Sequence, residues 1–487
     1  MKRAFVASLC AVLAVVGCSV INAFDDVKQP VEEGGAGTGG SGGGAATGGG
    51  GGDTGSGGSS ATGGTGGDTG GTGGGGTGGS GGGAGADSGP TREGLIVVAG
   101  RDASKPAGTN SILITLDPAT GGELWREGGV AGYQPIRGIG YDAQRDLWFL
   151  FQRGQSGDPI EPHTLRIGTF DLQTGAWQEA GSASVPAPEG PGVIGVLKDR
   201  ILYKSTVPPT GTQTQPQTGL TLLDTTTPSA VVVRGVQQSP LPTAGARGVI
   251  ARPSTAAAGG TVTLVQTLAP CYDHPSWPAD AGTPPKLCDV QLENMLVAAT
   301  ANTASSQVTR VVGNVPQVGA SPGWTTSPSN LLIVLPADAY QLDPTGQVLR
   351  LAPNNLTEAQ AAIPFAAGGP FISAATYDRC LEVVIASELL TAQSIFVIPT
   401  VPAGTVHKES VSSSAQRVAF EPYTRTVIRP FVDNSNPELT AYVLGGTKAA
   451  PTLTQRPQPS LPWAPPSALI PDIVMTRDPG TATCPAP

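Results

Sequence analysis

The strongest constraint on this chain is a recurrence of short β-rich runs, several of which end in the same kind of turn. The runs are Ile112–Asp117, Leu165–Asp171, Leu220–Asp224, Met295–Ala299, Ala339–Asp343, Ile395–Ile398 and Leu439–Leu444, spaced about 45 to 75 residues apart. Three lead into Asp117-Pro-Ala-Thr-Gly121, Asp171-Leu-Gln-Thr-Gly175 and Asp343-Pro-Thr-Gly346. An Asp carboxylate can accept from the turn backbone while Gly supplies a positive φ, which is the chemistry of a tight hairpin. A short strand follows the first two turns, Glu123–Arg126 and Ala176–Glu179. Between repeats lies a second pair of runs, such as Arg137–Asp142 with Leu147–Phe151, and again Phe371–Tyr377 with Cys380–Ala386 and Arg417–Phe420 with Thr426–Phe431.

Four short antiparallel strands per unit, without an amphipathic helix of useful length, predict an all-β propeller of seven four-stranded blades. We label the strands of a blade A to D. The first unit is split: Leu95–Ala99 begins as a B strand, and the run Ala468–Met475 supplies the missing A strand from the other end of the chain. Such pairing leaves no open edge. Repetition also solves a size problem, because a single hydrophobic core does not fill the nearly 400 residues after the N-terminal region. Two packed β-sandwiches are the competing architecture. The repeat pattern over Glu93–Arg477 resembles the seven-bladed propellers of the lactonase-like and quinoprotein-like groups. The adjacent cysteines of quinoprotein cofactor sites are absent, so no cofactor is expected, and no lactonase catalytic residue maps onto this sequence.

The N-terminus reads as an export signal. Lys2 and Arg3 precede the uncharged apolar run Ala4–Val16, which is too short to span a bilayer as a helix. Val15-Val16-Gly17-Cys18 resembles the bacterial lipobox. That resemblance implies cleavage after Gly17 and acylation of Cys18, and Ser19 after the cysteine implies release to the outer membrane. From Gly34 to Gly89 more than half the residues are Gly. Such a segment cannot bury enough surface to order itself and behaves as a coil with a reach of roughly 40 Å. It resembles the spacers of surface lipoproteins in soil-dwelling predatory bacteria. The expected division is therefore 1–17 signal peptide, 18–92 lipidated N-terminus and disordered tether, 93–477 propeller and 478–487 tail. The expected location is the cell envelope, at the outer membrane or cell surface, with the lipid membrane as one partner.

The full chain carries 28 Lys and Arg against 37 Asp and Glu, a formal charge of −9. No basic cluster marks a nucleic-acid footprint. In a blade, A–B and C–D turns share one face, while B–C and D–A connections share the other. The former are tight here and the latter long: Arg153–His163, Thr206–Thr218, Ala269–Glu293, Ala352–Pro370 and Arg456–Ser467. Long loops on a rigid scaffold commonly carry binding residues. The tether enters at the start of a B strand, on the turn face, leaving the loop face outward.

Chemistry-bearing residues are sparse. The histidines are His163, His274 and His407. His163 closes a B–C loop that also holds Asp158 and Glu161, while His274 sits beside Asp273 and near Trp277. His407 falls on an outer strand. Trp463 occupies a Pro-rich loop and, with Trp277, is a candidate for stacking on a ligand; Trp125, Trp148 and Trp177 read as packing residues. Asp158, His163, His274, Trp277 and Trp463 are thus the candidate ligand-binding set, and no catalytic residue is assigned. Asp433–Glu438 clusters oxygens of the kind that hold Ca²⁺ but lacks EF-hand spacing, so an Asn-rich turn is the preferred reading, with a Ca²⁺ site as its alternative. Beyond Cys10 in the signal and Cys18, the sequence has Cys271, Cys288, Cys380 and Cys484. Cys271 and Cys288 flank one loop, and Cys380 and Cys484 both fall on the turn face, so 271–288 and 380–484 are the expected disulfides. The function expected is a protein- or glycan-binding module working through its loop face; the alternative is a hydrolase or lyase with a polar site in the central channel.

Overall fold

The computed structural model describes residues 92–155, 161–189, 194–207, 217–238, 243–253, 259–268, 271–273, 286–298, 305–316, 323–337, 345–366, 372–388, 394–411, 417–431, 438–480 and 483–484. The expected signal peptide, Cys18, the tether, Asp158, His274, Trp277 and Asp433 lie outside the described residues.

Seven antiparallel sheets form seven blades, and no helix occurs among the described residues. Blade 1 contains β1 (Ile96–Asp102), β2 (Ser111–Leu116) and β3 (Glu123–Gly128). Blade 2 is β4 (Ile136–Asp142), β5 (Leu147–Gln152), β6 (His163–Phe170) and β7 (Trp177–Val185). Blade 3 is β8 (Ile194–Leu197), β9 (Arg200–Val207), β10 (Gln217–Asp224) and β11 (Val232–Gln238). Blade 4 is β12 (Thr243–Pro253), β13 (Gly259–Leu268), β14 (Tyr272–Asp273), β15 (Lys286–Ala298) and β16 (Ser305–Pro316). Blade 5 is β17 (Gly323–Thr326), β18 (Leu331–Leu335), β19 (Thr345–Leu351) and β20 (Glu358–Ala366). Blade 6 is β21 (Ile372–Asp378), β22 (Val383–Glu388), β23 (Ser394–Pro399) and β24 (His407–Ser410). Blade 7 is β25 (Ala419–Glu421), β26 (Thr426–Phe431), β27 (Glu438–Gly446) and β28 (Pro451–Gln455). The last strand, β29 (Leu469–Thr476), returns to blade 1 as its A strand, paired antiparallel to β1. The closure expected from the sequence is therefore present.

Each A strand touches the A strand of the next blade, and β29 touches both β25 and β4, so the seven form a closed ring around the axis. Burial follows the seams. There are seven apolar clusters, one for each blade interface. Trp148 is buried between blades 1 and 2 with Phe170 edge-on at 5.4 Å, and Trp125 and Trp177 pack on the same phenyl ring. Alternate residues of a strand face opposite seams, which explains runs such as Ile395–Ile398 that are apolar on both sides.

The turns repeat as well. At the ends of A strands an acid caps the A–B turn: Asp142 Oδ1 accepts from Gln144 N, Asp378 Oδ1 from Cys380 N, and Glu421 Oε2 from Thr424 N. Asp146, Asp199, Glu382 and Arg425, each just before a B strand, take positive φ values of 53–63°. Side-chain pairing holds several of them. Arg425 bonds Asp378 of the preceding blade at 2.8 Å, and Glu382 pairs with Lys448. In the C–D turns, Gly121 N donates to Asp117 O and Gly175 N to Asp171 O, with both glycines at φ 73°.

Three boundaries differ from the sequence reading. In blade 5 the C strand is β19, the run Ala339–Asp343 lying outside the described residues, and its C–D turn runs from Ala352 to Thr357. Leu356 N donates to Ala352 O in the same way as Gly to Asp elsewhere, so Ala352–Pro370 is not one loop but holds β20. In blade 4, Ala269–Glu293 includes β14 and much of β15, an extended B–C hairpin. The connection after β28 folds back between blades 7 and 1: Ala464 N donates to Thr120 O at 2.9 Å, and Arg456 Nη1 to Ala119 O at 2.7 Å.

Candidate functional site

The loop-face mouth of the central channel gathers the charges that the mid-channel strands exclude. On β29 the register against β1 slips between Ala99 and Gly100, so Ile473 faces Ala99, Pro471 faces Gly100, and Asp472 is left unpaired in a bulge. A Cβ on Gly100 would come within 2.2 Å of Ile470 O, so only glycine admits this close approach. On β4 the same kind of slip between Ile136 and Gly138 drops Arg137 from the register against β5, with its side chain exposed. β12 slips twice and β21 once near the same end, at positions whose side chains lie outside the described residues. Bulges break the alternation of a strand and re-aim one side chain, here at the rim of the ring.

Asp472 and Arg137 come from neighbouring blades, and Arg417, just before β25, comes from the blade on the other side. Arg101, at the end of β1, reaches Asp472 with Nη2 at 3.4 Å from Oδ1, both side chains a little over 40% exposed. Burial pushes the Asp472 carboxyl pKa up, against the opposing pull of Arg101, Arg137 and Arg417. Burial lowers the pKa of Arg417, with Asp472 opposing. A side chain that keeps its exposure yet is walled by protein is what the lining of a narrow channel produces. Arg101 thus meets the Asp472 carboxylate directly, and Arg137 and Arg417 act on it through their charge, on a chain whose overall charge is negative.

His163 begins β6 and is 5% exposed. Its Nδ1 lies 3.2 Å from the Glu161 carbonyl, which can only accept, so Nδ1 carries the proton and Nε2 the lone pair. Burial lowers its pKa, and Arg137 and Arg153 push the same way. His163 is a neutral, enclosed imidazole beside the mouth, within the electrostatic reach of Arg137.

The other members of the expected set do not join it. Trp463 is 9% exposed and packs between blades 7 and 1, its Nε1 donating to Leu439 O at 3.0 Å and its ring closing over Gly121. A ring so enclosed is a packing element, not a platform open to ligand. Cys380 and Cys484 are disulfide-bonded, tying the tail to the turn face; Cys271 is disulfide-bonded too, with the Cys288 side chain outside the described residues. Among the described residues no group of three His, Cys, Asp or Glu side chains could hold a metal ion. Sequence reading missed Arg101, Arg137, Arg417 and Asp472. The available signal was a lone charge within an otherwise apolar inner strand, as in Ile470-Pro-Asp-Ile-Val474.

No protein-family model and no curated protein matches the chain. Solved propellers do. A 6-phosphogluconolactonase-like protein from Bacteroides fragilis is 12% identical with a TM-score of 0.46, the match covering 76% of this chain and 95% of that one. Its counterpart from Bacteroides uniformis gives 10% and 0.47, covering 80% and 100%. The periplasmic gluconolactonase of Pseudomonas aeruginosa gives 12% and 0.37, covering 80% and 100%. The likeness is one of architecture.

Proposed function

We propose that this chain is a lipid-anchored envelope propeller that acts as a binding module, taking a carboxylate-bearing glycan at the loop-face mouth of its channel. The observation that supports this reading is the set Arg101, Arg137 and Arg417 gathered around Asp472. Guanidinium groups hold carboxylates through paired, directional hydrogen bonds, and a walled site strengthens them. A ligand carboxylate would compete with Asp472 for these guanidinium groups.

Anchoring rests on the sequence at Val15–Cys18 and on the path of the described chain. Arg92 is fastened to the turn face, with Nη2 on Asp117 at 2.9 Å and Nη1 on the Gln173 carbonyl at 2.9 Å. An acylated Cys18 would therefore hold the molecule from the face opposite the mouth. Mass spectrometry of the chain from a bacterial envelope tests this part; an unmodified Cys18 overturns it.

Calorimetric titration of the full chain with digalacturonate tests the binding part. Binding is expected to weaken about ten-fold, or about 1.4 kcal/mol, in Arg137→Ala and in Arg417→Ala. No binding, or equal binding by both variants, overturns the reading. Opening of a sugar lactone by the chain, abolished with the same variants, would replace it with hydrolysis in the channel.

A further inference from the structure

A second polar cavity, separate from the channel mouth, opens at the seam of blades 1 and 2. Its volume is about 300 Å³, and its lining includes Glu127, Tyr133, Gln134, Gln152, Thr164 and Arg166, with Glu179 at the edge. That volume lies at the small end of the range for ligand sites, roughly 300–1,000 Å³.

Arg166 is the centre of its construction. Nη1 donates to both Glu127 oxygens at 3.0 Å, and Nε donates to Glu179 Oε2 at 3.0 Å. The guanidinium lies over the Trp177 ring, 5.5 Å from its centroid, and the Trp177 indole N–H donates to the same Glu179 oxygen at 3.3 Å. The Arg166 side chain is 12% exposed, against 30% for Glu127 and 40% for Glu179. A clamped cation therefore fixes two carboxylates whose remaining lone pairs face solvent. On the facing wall the Tyr133 hydroxyl is buried beside the Arg166 guanidinium. Gln152 Nε2 donates to Gln134 O at 3.0 Å, which fixes the amide and leaves its oxygen to accept.

We propose that this cavity binds a neutral polyhydroxylated ligand, a single sugar ring of an uncharged glycan. Fixed carboxylate acceptors and amide, guanidinium and hydroxyl donors, all at one small site, match vicinal hydroxyls. Each of those hydroxyls both donates and accepts. The balance of Glu127 and Glu179 against Arg166 and Arg153 gives no excess charge to attract an anion. The site stands independently of the mouth, because it uses none of Arg101, Arg137, Arg417 or Asp472.

Saturation-transfer NMR on the full chain, with cellobiose, maltose and diacetylchitobiose as neutral probes and digalacturonate as the charged one, tests this. At least one neutral disaccharide is expected to bind, about ten-fold more weakly in Glu179→Ala, which removes one fixed, solvent-facing acceptor. Gln152→Ala is expected to weaken it similarly, and Arg137→Ala to leave it unchanged. Thermal melting establishes that each variant is folded. Binding by none of the neutral probes overturns the proposal, as does a neutral probe held equally well by wild type, Glu179→Ala and Gln152→Ala. Loss of the neutral probe in Arg137→Ala would overturn it too, by moving the site to the mouth.

Discussion

Arg477, the first residue after the last strand, grips Asp146 in the A–B turn of blade 2, with Nε on Oδ1 at 2.9 Å and Nη2 on Oδ2 at 2.7 Å. The same guanidinium donates from Nη1 to the Glu93 carbonyl, so one side chain joins the two ends of the described chain and the neighbouring blade. Tyr141 donates to Asp146 Oδ1 at 2.7 Å.

Arg477→Ala is expected to destabilise the fold by about 1–2 kcal/mol, a modest figure because Asp146 is partly exposed. Burial raises the Asp146 pKa, but the Arg477 and Tyr141 hydrogen bonds outweigh it, and the net shift is downward. A lowered carboxylate pKa stabilises the fold above the unfolded value and loses that contribution as pH falls through the folded value. The difference between wild type and variant should therefore hold from pH 5 to 8 and shrink below about pH 4. Denaturant melts across pH measure it.

Asp472→Asn is expected to act in the opposite sense. The Asp472 carboxyl pKa is raised, so ionisation works against the fold as pH climbs past the unfolded value. The variant should gain stability relative to wild type between about pH 4 and pH 7. It should also bind digalacturonate more tightly, by about three-fold, with the gain suppressed as salt rises from about 0.1 M to about 1 M. Unchanged affinity would show that Asp472 does not compete for the arginines.

Trp463→Ala is expected to cost about 3–5 kcal/mol, as for a buried aromatic ring in a closed core. Gly121→Ala should also destabilise, because a Cβ at φ 73° would stand 2.8 Å from that ring. Neither change should move ligand affinity in the protein that remains folded. Thermal melts paired with calorimetry separate the two readouts.

Cys484→Ser is expected to lower stability by about 2–4 kcal/mol, since the Cys380–Cys484 bridge closes a long span of chain, 104 residues in separation. Reductant should lower the melting temperature of wild type toward that of the variant. An identical melt for wild type and variant under oxidising conditions would show that the tail contributes nothing.

The propeller was legible because its period is written in apolar runs and in Asp and Gly at the C–D turns. Blade 5 escaped because its turn uses other residues for the same geometry. Ala352 replaces the Asp, and Leu356 replaces the Gly at φ 58°, its strain offset by complete burial between blades 4 and 5. The channel mouth escaped for a different reason. Bulges break the two-residue alternation on which strand reading depends, so nothing in Arg137-Gly-Ile-Gly-Tyr141 tells which way Arg137 turns. Trp463 looked available because it lies among prolines in a long connection. That connection is folded inward along a seam, which composition does not reveal.

The pairing of β1 with β29 carries a consequence for the order of events during synthesis. Blades 2 to 7 can assemble as the chain emerges, each leaning on the one before. Blade 1 holds three strands from the start and waits for its fourth, which follows all the other blades along the chain. A chain cut before Leu469 would keep the inner edge of β1 open and have nothing to seal the ring, however well its other blades had formed. β29 thus works as a latch, sealing the ring only once the strand that follows every other blade has docked on β1.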